Sequence, residues 1–177
     1  MKGKDFLTLL ARAMPSMSEL AQYGLDEEEA EEIQASFKSV ERPSSGGGVS
    51  FSSELQTLVS ENDLSTVEVG LVTFPRHPEI TDRGVVVAYF EADPLVVQRD
   101  GSVAMSDHAR PDVLRTCAAS SEAFLEALAR FVEIRSRKKD WNGRLAEAAS
   151  ICAEAAGGSD YKWFYSALCG FLNQGNR

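Results

Sequence analysis

The chain is poor in the residues that most often do chemistry near neutral pH. Histidine occurs twice, at His77 and His108, and cysteine three times, at Cys117, Cys152 and Cys169. No H-E-x-x-H, G-x-S-x-G or G-x-G-x-x-G pattern is present. The spacings that set a zinc ion, a strained serine or a dinucleotide phosphate at the end of a helix or strand are therefore missing, and no cofactor is implied. The cysteines are odd in number and form no C-x-x-C pair, which argues against a disulfide framework or a zinc knuckle. Each lies among apolar or small residues, as buried filler does, and free thiols suit a reducing compartment.

Long apolar runs are also lacking. The longest, "VVVAYF", is far short of the ~20 residues that span a bilayer. Two lysines precede the apolar stretch in "MKGKDFLTLLARAM", but Asp5 and Arg12 interrupt it and no clean small-residue cleavage site follows. These absences predict a cytoplasmic chain with no membrane partner. Positive charge is in deficit: 18 Lys and Arg stand against 27 Asp and Glu, a net charge of −9. An acidic surface repels phosphate backbones, so no nucleic-acid partner is expected. The same charge speeds encounter with basic proteins, and it also serves plain solubility. With 177 residues, 44% of them hydrophobic, the chain suits one domain. A chain of that size buries about 70% of its unfolded surface and holds a core without metal or disulfide.

What is present reads as helices, then strands, then helices. Phe6, Leu9, Leu10, Ala13 and Met14 fall at helical spacing before Pro15. "LDEEEAEEIQASFKSV" predicts a second helix, with Asp26 and Glu29 as a capping box and Ala30, Ile33, Phe37 and Val40 as its apolar stripe. Its acids sit at the positive end of the helix dipole. Residues 44–53 read as a flexible Gly/Ser loop; no Lys-Ser/Thr pair follows Gly46–Gly48, so it is not a phosphate loop. "STVEVGLVTF", "RGVVVAYF", "PLVVQ", "SVAMS" and "VLRTCA" read as strands with short turns and no helices between them. That pattern predicts an antiparallel sheet of about four to six strands in an α+β domain. A helix capped by Ser120 or Ser121 then carries Phe124, Leu125, Leu128, Phe131 and Val132, and closes on the basic run Arg135–Lys139. Two more helices, from Trp141 to Ala156 and around Tyr161, Phe164, Leu168 and Phe171, form an appended element over residues 138–177.

"EADPLVVQRDGSVAMSDH" (Glu91–His108) concentrates the candidate chemistry. Asp93, Asp107 and His108 are ligand types that suit Zn²⁺ or Mn²⁺. The stronger reading is architectural. Asp93-Pro94 initiates a turn before a strand, Asp100-Gly101 turns a hairpin, and Asp107 and His108 end its second strand. On that reading the chain holds no metal and no catalytic set. His77, between two prolines, belongs to an exposed loop.

The segments Val85–Phe90, Glu91–Val97, Asp100-Gly101, Val103–His108, Val113–Ala118 and Ser120–Leu128 resemble the latter half of the SUKH superfamily, mainly over residues 84–132. That superfamily includes bacterial immunity proteins and fungal cell-wall regulators. The resemblance implies a single SUKH-like domain and a non-enzymatic role, in which the protein binds one cognate toxin and blocks its active or substrate site. An acidic immunity protein facing a basic toxin would use electrostatic steering. The expected contacts are the acids Glu27, Glu28, Glu31, Glu32, Glu91 and Asp93. The alternatives are a regulatory or scaffold module of the same fold, or a small carboxylate- or metal-dependent enzyme. A homodimer through a sheet edge or the C-terminal helices remains open.

Overall fold

The computed structural model describes residues 1–43, 52–136 and 144–170. Most of the Gly/Ser loop, the basic residues 137–139, Trp141 and Phe171 lie outside those residues. In chain order the elements are α1 (Gly3–Ala13), α2 (Met17–Gln22), α3 (Glu27–Ala35), β1 (Val40–Glu41), α4 (Glu54–Glu61), β2 (Asn62–Asp63), β3 (Glu68–Val69), β4 (Val72–Thr73) and β5 (Glu79–Thr81). There follow β6 (Gly84–Phe90), β7 (Asp93–Val97), β8 (Val103–Asp107), β9 (Arg110–Ala118), α5 (Ser121–Ser136), α6 (Leu145–Ala155) and α7 (Lys162–Gly170). The class is α+β. β3, β4, β6, β7, β8 and β9 lie side by side in that order, with β5 also paired to β6, making seven strands; β1 and β2 form a separate pair. Every pairing is antiparallel.

Local chemistry sets the helix ends. Asp26 accepts from the Glu29 amide at 2.9 Å while the Glu29 carboxylate accepts from the Asp26 amide at 3.0 Å, the expected capping box. Ser16 and Glu19 repeat the device on α2. Ser120 Oγ caps α5 by accepting from the Ala123 amide at 3.1 Å. α2 and α4 go beyond what the periodicity predicted. α4 forms because Leu55, Leu58 and Val59 bury one face and Ser53 caps it.

Three expectations change. "STVEVGLVTF" is not one strand but the β3–β4 hairpin, turned at Gly70. Gly70 has φ +65°, and a Cβ there would lie 2.9 Å from Leu168 Cδ1, so only glycine lets the turn rest on the core. The stripe Ala30–Ile33–Phe37–Val40 breaks because α3 ends at Ala35; Ala30 is buried, but Val40 is 66% exposed. The loop around His77 contributes strand β5, whose Glu79 carboxylate accepts from the Tyr89 hydroxyl at 3.1 Å.

The helices α1, α4, α5, α6 and α7 share one continuous core with the inner face of the sheet. Phe6 and Leu10 from α1, Leu55 and Leu58 from α4, and Phe124, Leu128 and Phe131 from α5 are all within it. α6 and α7 are not a satellite: Ala148, Cys152, Phe164, Tyr165, Leu168 and Cys169 are buried in the same cluster. Phe164 stands at the junction, its ring 5.0 Å from Phe90 on β6 and 6.1 Å from Phe124 on α5. Among the described residues no helix is long and apolar enough to cross a membrane.

All three cysteines are buried free thiols. Cys117 donates to the Val103 carbonyl at 3.3 Å, and desolvation pushes its pKa well above the ordinary thiol value. A thiol-reactive disulfide reagent is therefore expected to label Cys117 only when the domain opens, so that labelling tracks unfolding in denaturant. Phe164→Ala should lower unfolding free energy by about 3–5 kcal/mol, because three elements lose a shared ring; a denaturation midpoint unchanged from wild type would contradict this packing.

Candidate functional site

The hairpins β6–β7 and β7–β8 and the turn into β9 gather the acids and the histidine singled out above. The first turn is only two residues, because Phe90 pairs with Asp93 across it. Glu91 takes φ +54°, the only non-glycine left-handed residue among those described. Such a conformation costs an L-residue roughly 1–2 kcal/mol. Its amide donates to the Leu71 carbonyl at 3.0 Å, which anchors the turn to the β3–β4 hairpin and leaves the Glu91 side chain exposed. Asp93-Pro94 is consequently not the turn itself; both residues are within β7, paired to Phe90 and Tyr89. Asp100 does shape its turn: its carboxylate accepts from the Ser102 hydroxyl at 2.7 Å and amide at 3.0 Å, and Gly101 adopts φ +87°. Those bonds hold the Asp100 pKa below the ordinary aspartate value.

At the other end, β8 and β7 bring Asp93, Asp107 and His108 together, with one ligating atom from each within 4.8 Å of the others. Asp93 Oδ1 accepts from the His108 amide at 2.9 Å and meets the imidazole Nδ1 at 2.6 Å. Asp107 accepts from the amides of Ala109 (2.8 Å) and Arg110 (3.2 Å), and its other oxygen pairs with the Arg110 guanidinium at 3.1 Å. The three side chains have the composition of a divalent-ion site. Their bonding is that of a strand end: each carboxylate is already satisfied by donors of its own hairpin, and Arg110 already supplies a cation to Asp107. An ion here would have to displace that guanidinium and the His108 contact, so the geometry favours the architectural role.

The acids expected to contact a partner divide into two sets. Glu27, Glu28, Glu31 and Glu32 are exposed on α3, and their side chains make no hydrogen bond or ion pair among the described residues. Asp26 and Glu29 do the capping, so these four carboxylates remain turned to solvent. Glu91 is likewise exposed. Asp93 departs from the set, because its carboxylate is committed to His108 and only 24% exposed. No hydrogen bond or ion pair among the described residues joins the α3 acids to Glu91 or Asp93.

One polar cluster had no sequence signal. Arg42 contacts the His77 ring, and Asp63 lies 3.8 Å from Arg42 and 3.6 Å from Arg76. It ties the β1–β2 pair to the loop before β5. Its members are scattered through the chain, and no local pattern announces such a contact. Comparisons with protein-family models, with curated proteins and with solved structures return no match.

The hydrogen bond to Asp93, then its charge, raises the His108 pKa above the ordinary histidine value. A raised pKa means that the pairing favours the folded state most fully below the unfolded value of about 6.5, and that this favour is lost as pH rises through the folded value. Asp93→Asn should return the His108 titration, followed by NMR, toward about 6.5. Titration with Zn²⁺ should show no stoichiometric uptake that Asp93→Asn abolishes; such uptake would reverse the architectural reading.

Proposed function

We propose that the chain is a non-enzymatic binding protein of immunity type, which neutralises a basic protein toxin by covering its active or substrate site. The observation that carries this reading is the outward acidic surface of α3. Carboxylates that serve only a helix end need occupy no more than the first turn. Here Glu31 and Glu32 extend beyond the first turn. Glu27 and Glu28 meet the helix dipole in the first turn, and all four are exposed, with no side-chain hydrogen bond or ion pair among the described residues. The hairpin-to-helix resemblance to the SUKH superfamily and the net charge of −9 support the same reading. Like-signed charge concentrated on one exposed helix raises the encounter rate with an opposite surface, and discriminates against acidic partners.

The reading predicts protection. Expression of the toxin encoded beside this reading frame should arrest growth, and co-expression of the chain should restore it. The purified pair should associate more slowly as salt is raised, by about tenfold or more between low and high ionic strength. Glu31→Lys with Glu32→Lys should slow association while leaving the melting temperature nearly unchanged, since neither residue caps α3. A neighbouring product that is harmless, or that binds equally well to the doubly substituted chain, would overturn the reading.

A further inference from the structure

A broad concavity lies not at the hairpins but between α1, α2 and α3 on one side and α5 with β3 on the other. It is a cleft of about 1040 Å³. A second cleft of about 490 Å³ adjoins it, and Ile33, Phe37, Glu68 and Arg135 line both, so the two form one groove. The floor is apolar and fixed: Val69 and Phe131 are buried and belong to the packed interior. The wall is apolar but incompletely covered. Ile33 and Phe37 are half-buried, and Tyr23 is 70% exposed.

The charge around this groove is unbalanced. Asp5, Glu19, Glu32, Glu68 and Glu133 line it, against the two guanidiniums of Arg12 and Arg135. Some of this charge has internal work, since Glu133 pairs with Arg130 at 3.0 Å and Glu19 serves the α2 capping box. Among the described residues the lining acids still outnumber the guanidiniums, and Glu32 makes the groove continuous with the exposed acids of α3. The wall is also lightly held. α2 and α3 each bury a single residue, Leu20 and Ala30. Hydrogen bonds seen among the described residues include Gln34 to the Pro15 carbonyl at 2.9 Å and the Glu68 amide to the Ser36 carbonyl at 3.1 Å. A wall with little buried area opens at low cost, while the α5 floor stays rigid.

From the apolar floor, the exposed aromatic wall and the acidic rim, we infer that this groove is the docking surface for a basic segment of the protein partner, one that carries a large apolar or aromatic anchor. The anchor seats between Tyr23, Ile33 and Phe37, and its flanking cations meet Glu32, Glu68 and Asp5. This rests on the proposed binding of a basic protein and adds the place and the apolar component. Charge alone would leave the partner sliding over α3; burying an anchor in a shaped groove fixes its register.

The probe is a short synthetic peptide with lysines around one tryptophan, titrated into the full-length ¹⁵N-labelled chain. Saturable amide shifts are expected at Leu9, Tyr23, Ile33, Phe37 and Glu68. The same peptide with tryptophan replaced by serine should bind about tenfold more weakly. Phe37→Ser should weaken binding similarly. Tyr23→Glu, at an exposed position that does not hold the fold, gives the sharper contrast: attraction by charge alone predicts tighter binding, and the groove predicts weaker. Shifts confined to Glu27, Glu28 and Glu31, equal binding by the serine peptide, tighter binding by Tyr23→Glu, or no saturable shift each overturn the groove assignment. The parent reading has its own readout in toxin protection, so protection without groove shifts would leave it standing while this inference falls.

Discussion

Phe164 is the contact on which the remaining architecture depends. Its ring meets β6 through Phe90 and α5 through Phe124, and it stands edge-on to Trp163 and Tyr165 beside it. Burying aromatic rings in tilted and edge-to-face contact gains packing energy beyond area alone. With Phe90 held there, β6 ends at Phe90 and the chain turns through Glu91 and Ala92 to pair Asp93 with Phe90. Glu91 therefore adopts a left-handed conformation that a glutamate would not otherwise choose. The exposure of one proposed contact residue thus follows from a ring buried in the core.

The same anchoring explains why the hairpin acids and the α3 acids behave differently. Along β7 and β8 the backbone is paired on both sides, and side chains near the strand ends find amides and guanidiniums within reach. Asp93, Asp100 and Asp107 are drawn into these bonds. On α3 the backbone satisfies itself, Asp26 and Glu29 serve its open N-terminus, and the remaining acids meet no side-chain partner among the described residues. Carboxylates are structural in one setting and turned to solvent in the other, and the difference is the supply of local N–H groups.

Much of this was legible where residues close in sequence do the work. Both ends of the Asp26–Glu29 box, the Asp100-Gly101 turn and the apolar face of α5 are local patterns, and the α+β class followed from their order. The β3–β4 hairpin was not legible, because Val67, Val69 and Leu71 alternate as one strand would; the turn at Gly70 is dictated by Leu168 and Phe131, far along the chain. The burial of α6 and α7 in the common core was not legible for a related reason. Small residues such as Ala148, Ala149 and Ala153 look unremarkable in sequence, yet they let α6 approach closely enough to become core. The groove had no linear signature at all, since Tyr23, Phe37, Glu68 and Arg135 come from four separate segments.

Stability in this fold is unevenly distributed, and the distribution bears on recognition. Interior residues of α5, α7 and the central strands are fully buried, whereas α2 and α3 bury one residue each. Desolvation lowers the Arg135 pKa from its ordinary value while the charge of Glu68 opposes the shift, so the rigid side of the groove holds a cation in a partly dry setting. An arginine stays protonated under such a shift, and it therefore repels a second cation placed directly over it. For the proposed basic segment, cations are therefore favoured beside Glu32, Glu68 and Asp5 and disfavoured directly over the Arg135 guanidinium. Rigidity, apolar floor and charge gradient together favour one orientation of a bound segment over its reverse. That is a stronger constraint on specificity than net charge, because charge summed over the whole surface carries no direction.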